Sequence, residues 1–168
     1  ALFGDRLDID IDNMFFELCE TTVKQHSASS FHDFELELLR IIGIESPISA
    51  DEFEKISKED LTDKIYASMK ESYERKCDKI AQRALPQIQH VHENLSDKYK
   101  DMVFPLTDGR RELQLIVNIE EAYKSEGKNI SKAFEKNVIL SKIDDEWKEH
   151  LREMDELRSA VRNASYEQ

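Results

Sequence analysis

The chain has 168 residues, a net charge of −12, 39% hydrophobic and 36% charged residues, four glycines and three prolines. So polar and so little punctuated a chain favours long, solvent-laced helices over a sheet-based core. Its acidity lacks the basic footprint of a nucleic-acid binder, so no nucleic-acid partner is expected, and no run approaches the ~20 apolar residues of a membrane span.

Leu7, Ile11, Met14, Phe15, Leu18 and Cys19 recur at helical spacing and predict a helix over 7–26, entered directly from Ala1-Leu2-Phe3. No initiator methionine opens the chain, which reads as a piece cut from something longer. A loop through Ser27-Ala28-Ser29-Ser30 follows, and Ser30 with Asp33 is an N-cap signature for a helix over 31–42 that Gly43 stops. Ser49 with Glu52, and Ser57 with Asp60, mark two further starts. From the second, Leu61, Ile65, Met69, Tyr73, Cys77, Ile80 and Leu85 form one apolar stripe. Pro86 is expected to kink or break that helix before it resumes through Ile88, Val91 and Leu95.

Two short apolar runs, 102–106 and 113–117, flank Thr107-Asp108-Gly109-Arg110. Asp-Gly accepts tight turns, so a small β-hairpin is expected over about 102–117, packed on helices because an isolated hairpin is marginal in water. Asn118 can cap a short helix ended by Gly127, and Asn129 can cap the last and longest helix. Phe134, Leu140, Ile143, Trp147, Leu151, Met154, Leu157 and Val161 line that helix. It would be roughly 50 Å long at ~1.5 Å per residue, more than the rest of the chain can cover. Core packing is the plain reading from Phe134 to Leu151; beyond Met154 the stripe is expected to project, favouring self-association of the isolated piece. The fold class is therefore mainly α, with long helices and one small hairpin.

Catalytic chemistry finds little support. No glycine-rich phosphate loop is present, so no nucleotide site is expected. Asp144-Asp145-Glu146 are consecutive on a helix and cannot converge on one magnesium ion. His90 and His92 lie two apart, on different helix faces, and neither Cys19 nor Cys77 belongs to a CxxC pair, so no metal site is expected. The two cysteines read as reduced thiols, and His150 as a partly buried, hydrogen-bonded side chain beside the apolar stripe. No catalytic, cofactor-binding or metal residue is assigned.

Charge is uneven: acids far outnumber lysines over 45–63, whereas 131–162 is nearly balanced and could approach an anionic membrane surface. The run Ile143-Asp144-x-x-Trp147-x-Glu149-His150-Leu151-x-x-Met154-Asp155-x-Leu157-Arg158 closely resembles the bacterial preprotein translocase motor family SecA, at the start of its two-helix finger. The opening Ala1-Leu2-Phe3-Gly4-Asp5-Arg6-Leu7 is similar to that family's long scaffold helix just before its helical wing domain.

The resemblance implies that 1–26 end the scaffold helix, 27–128 form the wing, and 129–168 form the first finger helix. It implies a non-catalytic part of an ATP-driven protein translocase that transmits motor movement and helps guide unfolded preprotein into the SecY channel. The implied partners are the motor domains, the channel and the preprotein, at the cytoplasmic face of the inner membrane. ATP, magnesium and a zinc tail would belong to other parts of the parent. Tyr166 matches the fingertip tyrosine and would touch the moving chain; Trp147, His150, Leu151, Met154, Asp155, Leu157 and Arg158 would be framework. Ala160-Val161-Arg162-Asn163-Ala164-Ser165 stands where family members commonly show Gly-Ile-His-Leu-Arg-Gly, so a more helical end is expected. The rival readings are a free-standing acidic helical adaptor offering 147–161 to a groove, and, more distantly, a hydrolase built on carboxylates.

Overall fold

Local side chains decide where most of the helices begin. In the computed structural model, which describes the backbone of residues 2–107 and 109–166 and the side chains of 6–107 and 109–162, Ser30, Ser49, Ser57 and Asn118 each accept the backbone N–H three residues on, at 3.0–3.4 Å. Each satisfies a donor that the first helical turn leaves unpaired, an effect worth about 1 kcal/mol. They open α2 (Phe31–Ile41), α3 (Ala50–Phe53), α4 (Lys58–Leu95) and α5 (Ile119–Lys124); α1 (Leu2–His26) precedes them and α6 (Asn129–Tyr166) follows. Gly43 ends α2 at φ +76°, its N–H bonded to the Leu38 carbonyl.

Two details depart from expectation, the break foreseen as one outcome at Pro86 and the cap at Asn129. Pro86 does not break α4, which runs unbroken from Lys58 to Leu95. Pro86 and Gln82, whose carbonyl loses its partner, are both on the exposed side, where water can serve that oxygen. Buried Ala81, Ala84 and Ile88 meanwhile hold the other side of the helix on both flanks of the proline. Nor does Asn129 cap α6. It is the first residue of the helix, and its side-chain oxygen is buried without a hydrogen-bond partner among the described residues. The start is served instead by the Ser125 hydroxyl, which accepts from Asn129 N–H at 3.2 Å, and by the Gly127 carbonyl, which accepts from Ile130.

The hairpin forms as expected between β1 (Asp101–Thr107) and β2 (Glu112–Asn118), an antiparallel pair with Thr107 opposite Glu112. The turn is therefore a four-residue loop, 108–111, in which Gly109 takes φ +88° and Asp108 lies outside the described residues. Met102, Phe104 and Leu106 stand opposite Val117, Leu115 and Leu113 and turn toward the helices; Val103 and Ile116 face each other on the solvent side. That alternation is the period-two pattern of a strand with one buried face.

Two apolar clusters share α4. Its first half packs Leu61 and Ile65 with Cys19 and Val23 of α1 and Phe34 and Leu38 of α2. Its second half packs Ala84 and Ile88 with Leu115 and Val117 of β2, Ala122 of α5 and Ile130 of α6. α1 runs antiparallel to α4, since Asp12 pairs with Lys70 and Phe16 meets Tyr66. It runs parallel to α6, since Asp8 pairs with Lys132 and Glu17 with Lys142. Leu18, counted on the buried stripe of α1 from its spacing, is partly exposed at 37%. Among the described residues no helix is long and apolar enough to cross a membrane.

Candidate functional site

α6 changes character along its length. Its first turns hold Ile130, Ala133 and Phe134 in the second cluster and bury Glu135. From Leu140 to Arg162 every residue is exposed. The expectation of core packing from Phe134 to Leu151 therefore holds for Phe134 only in part and fails beyond it: Leu140, Ile143, Trp147 and Leu151 all face solvent, Trp147 at 59%. The physical reason is length. At ~1.5 Å per residue, α6 extends roughly 57 Å, while α1 follows it only as far as the half-exposed pair of Glu17 and Lys142 at 3.8 Å.

The framework residues lie on this uncovered segment. Trp147, Leu151, Met154 and Leu157 are exposed apolar side chains three or four apart, and Leu140, Ile143 and Val161 extend the row at either end. The row is uncovered by any other described element, and contiguous apolar exposure is uncommon on the surface of a monomeric protein. His150 is exposed rather than partly buried, with its ring 5.9 Å from that of Trp147. Asp155 and Arg158 are exposed polar neighbours. Tyr166 is the last residue of α6, so the glycine-free segment 160–165 is helical throughout; the side chain of Tyr166 lies outside the described ones.

The polar side of the segment is ordinary solvated charge. Asp144 pairs with Lys148 at 2.7 Å and Glu149 with Arg152 at 3.0 Å, both within one turn. The Asp144 carboxylate hydrogen-bonded to Lys148 holds that ammonium's pKa above its usual value. Pairs of this kind support an exposed helix only weakly, because solvent screens them.

Two concavities border the start of α6. One, of about 630 Å³, lies between α4, the loop end of the hairpin and the start of α6, and is lined by Tyr73, Ile80, Leu106, Leu113, Ile130 and Phe134 among others. The second, of about 440 Å³, follows the seam of α1, α4 and α6 past Asp8, Asp12, Lys70, Tyr73, Lys132 and Glu135. Glu135, which the sequence did not single out, is buried and accepts from the Tyr73 hydroxyl at 3.0 Å and from Lys132 at 3.3 Å. Only its place beside Phe134, on the anchored face of α6, hinted at this.

The histidines and cysteines do not assemble into a centre. Among the described residues no group of three or more His, Cys, Asp and Glu side chains could hold a metal ion. His92 pairs with Glu120 at 2.9 Å and stacks on Tyr123 at 3.9 Å, His90 contacts Asn94, and His26 lies 3.8 Å from Glu37. Cys19 is buried against Met69, at 3.6 Å, and burial pushes its thiol up to about 11; burial also raises the half-buried Cys77. Both thiols are free.

The family profile described as "SecA Wing and Scaffold domain" matches residues 1–168. A protein translocase subunit SecA of Christiangramia forsetii is 43% identical over 169 aligned residues, covering all of this chain and 15% of the relative. Those of Phocaeicola vulgatus and Parabacteroides distasonis are 42% and 41% identical, with the chain again spanning 15% of each. No solved structure matches the chain significantly.

Proposed function

The chain belongs to the SecA wing and scaffold family, and from that premise we propose that it is the frame and lever of a protein translocase rather than its motor. In this reading α1 is the end of the scaffold helix, residues 27–128 are the wing, and α6 is the first helix of a two-helix finger. The observation that carries it is the division of α6 into an anchored start and a long uncovered apolar segment on which Trp147, His150, Leu151, Met154, Asp155, Leu157 and Arg158 all lie.

A continuous helix is stiff along its axis, so motion imposed on its anchored end reaches its far end with little loss. Two features suit α6 to that task. Beyond Lys142 the pairs Asp144–Lys148 and Glu149–Arg152 lie within the helix and support it without tying it to the body. Its apolar row offers a seam along which a second helix can pack, as ridges into grooves, with contacts three and four residues apart. The curated relatives are more than six times as long as this chain. The motor domains that hydrolyse ATP, and the second finger helix, would lie in the remainder. ATP hydrolysis, magnesium and a zinc tail therefore belong in this proposal to the longer protein, and this region binds none of them itself.

Its partners would be the motor domains of the same chain, the SecY channel and the unfolded preprotein, at the cytoplasmic face of the inner membrane. The near balance of charge over 131–162 in an otherwise acidic chain would let that segment come close to an anionic lipid surface. Tyr166 would contact the moving preprotein: its ring offers apolar area to many side chains and its hydroxyl a hydrogen bond to backbone. The test is Tyr166→Ala in the full-length translocase. Translocation should fall well below wild type while the melting temperature and basal ATP turnover stay close to it; unchanged translocation removes Tyr166 from that role.

A further inference from the structure

Three polar or charged side chains are buried among the described residues: Thr22, Thr62 and Glu135. The two threonines ask nothing of other elements, since each hydroxyl donates to a carbonyl of its own helix, Leu18 at 2.7 Å and Lys58 at 2.8 Å. Glu135 is different. A carboxylate accepts, and the two side chains that donate to it, Tyr73 and Lys132, bind α6 to its surroundings. Tyr73 of α4 donates at 3.0 Å, and Lys132, at 3.3 Å, also reaches Asp8 of α1. Phe15 of α1 stands edge-on to the Tyr73 ring at 5.0 Å, and one turn back Lys70 pairs with Asp12 at 3.1 Å. Three helices are thus tied at one point. Burial raises the pKa of Tyr73 far above its usual value, so its hydroxyl remains a donor.

Such a junction is not the obvious way to gain stability, because a well-packed apolar side chain of similar volume often serves a helix seam as well as a buried charge. What the carboxylate adds is direction: hydrogen bonds fix an angle, where apolar contact tolerates sliding. Its position along α6 gives that direction weight. Past Glu135 no described residue of α6 is buried, and the pair of Lys142 and Glu17 is half exposed and weak. From Glu135 to Tyr166 the helix covers roughly 46 Å at ~1.5 Å per residue, so a rotation of about 5° at the junction moves its far end by about 4 Å.

We infer that Glu135 is a positioning residue, which with Tyr73 and Lys132 sets the direction in which the uncovered part of α6 leaves the scaffold helix and the wing. The inference rests on the reading of α6 as a transmitting element for its consequence in transport, but its geometry can be tested apart from that reading. The experiment places spin labels at the exposed positions Glu20 of α1 and Glu156 of α6 in the full-length translocase and measures their distance distribution. Wild type is compared with Glu135→Gln, Glu135→Leu and Tyr73→Phe, with melting temperature, ATP turnover and translocation recorded for each. Glu135→Gln keeps an acceptor for Tyr73 and should keep the narrow wild-type distribution. Glu135→Leu should shift or broaden it by about 3 Å, the displacement a 5° rotation gives at Glu156, and translocation should fall several-fold while ATP turnover persists. A folded Glu135→Leu protein with the wild-type distance distribution overturns the proposal, whatever its melting temperature. The Tyr166→Ala assay tests the transport reading separately, so failure of one is distinguishable from failure of the other.

Discussion

Gly127 lies against the backbone of Ala81: a Cβ built on the glycine would stand 3.1 Å from the Ala81 carbonyl oxygen and 3.2 Å from its Cα. Gly127 also takes φ +84°, and its N–H closes α5 on the Ala122 carbonyl. The turn that launches α6 is therefore pressed directly onto α4, and the same Cβ would also stand 3.3 Å from Cδ1 of Ile88. Gly127→Ala is expected to cost roughly 2 kcal/mol, from backbone strain and a contact that neither backbone can relieve. For a chain of this size that lowers the melting temperature by about 4–8 °C. Gly109→Ala, where φ is also positive but nothing lies within 4 Å, should cost less, and circular dichroism melts of the two variants compare them directly.

The pairing of His92 with Glu120 links α4 to α5 and should make that junction sensitive to acid. The His92 hydrogen bond, with that of Lys124, holds the Glu120 carboxyl below the usual carboxylate range. A carboxyl whose folded pKa is depressed contributes stability that is present above its unfolded pKa and is lost as pH falls through the folded one. Both partners are solvent-accessible, so the contribution is small. Melting temperatures of wild type and Glu120→Gln should differ near neutral pH and converge below the carboxylate range. A difference that persists unchanged at acid pH would show that the charge is not its source.

Cys19 should behave as part of the core rather than as a reagent. Burial pushes its thiol up to about 11 and its sulfur is fully covered, so at pH 8 little thiolate is present and less can be reached. The sign runs opposite to that of Glu120: the stabilisation is complete below the ordinary thiol range and is lost as pH rises through about 11. An aromatic disulfide reagent at pH 8 is expected to label Cys77 first, slowly because burial raises that thiol too, and Cys19 only on unfolding. Rapid labelling of Cys19 in a Cys77→Ser background would mean that α1 opens from α4 in the native state.

The elements that sequence made legible are those settled within a few residues of chain. Ser30, Ser49, Ser57 and Asn118 cap helices because a short polar side chain reaches the N–H three residues on without help from the fold. Gly43 and Gly127 end helices because they accept positive φ, and the strands of the hairpin follow their period-two pattern. The rest depended on neighbours across space or on a competing group nearby in the chain. Whether Pro86 breaks α4 depends on the apolar contacts of Ala81, Ala84 and Ile88. Whether Asn129 caps α6 depends on Ser125 arriving first. Glu135 drew no reading from the sequence because nothing local points to Tyr73, 62 positions away. The apolar row at Trp147 was read correctly as helical and wrongly as core, since spacing reports which face is apolar and not what covers it.

The central claim is that this row meets a partner elsewhere in the longer protein, and Trp147 is the natural reporter. The measurement is acrylamide quenching of Trp147 fluorescence in the 168-residue chain and in a full-length translocase whose other tryptophans are replaced by phenylalanine. At 59% exposure in the chain alone, Trp147 should emit as a solvated indole and be quenched freely. In the full-length protein its emission should move to the blue and its quenching constant fall several-fold as a neighbouring helix covers the seam. Equal quenching in the two proteins would contradict the account, leaving the apolar face of α6 without the partner assigned to it.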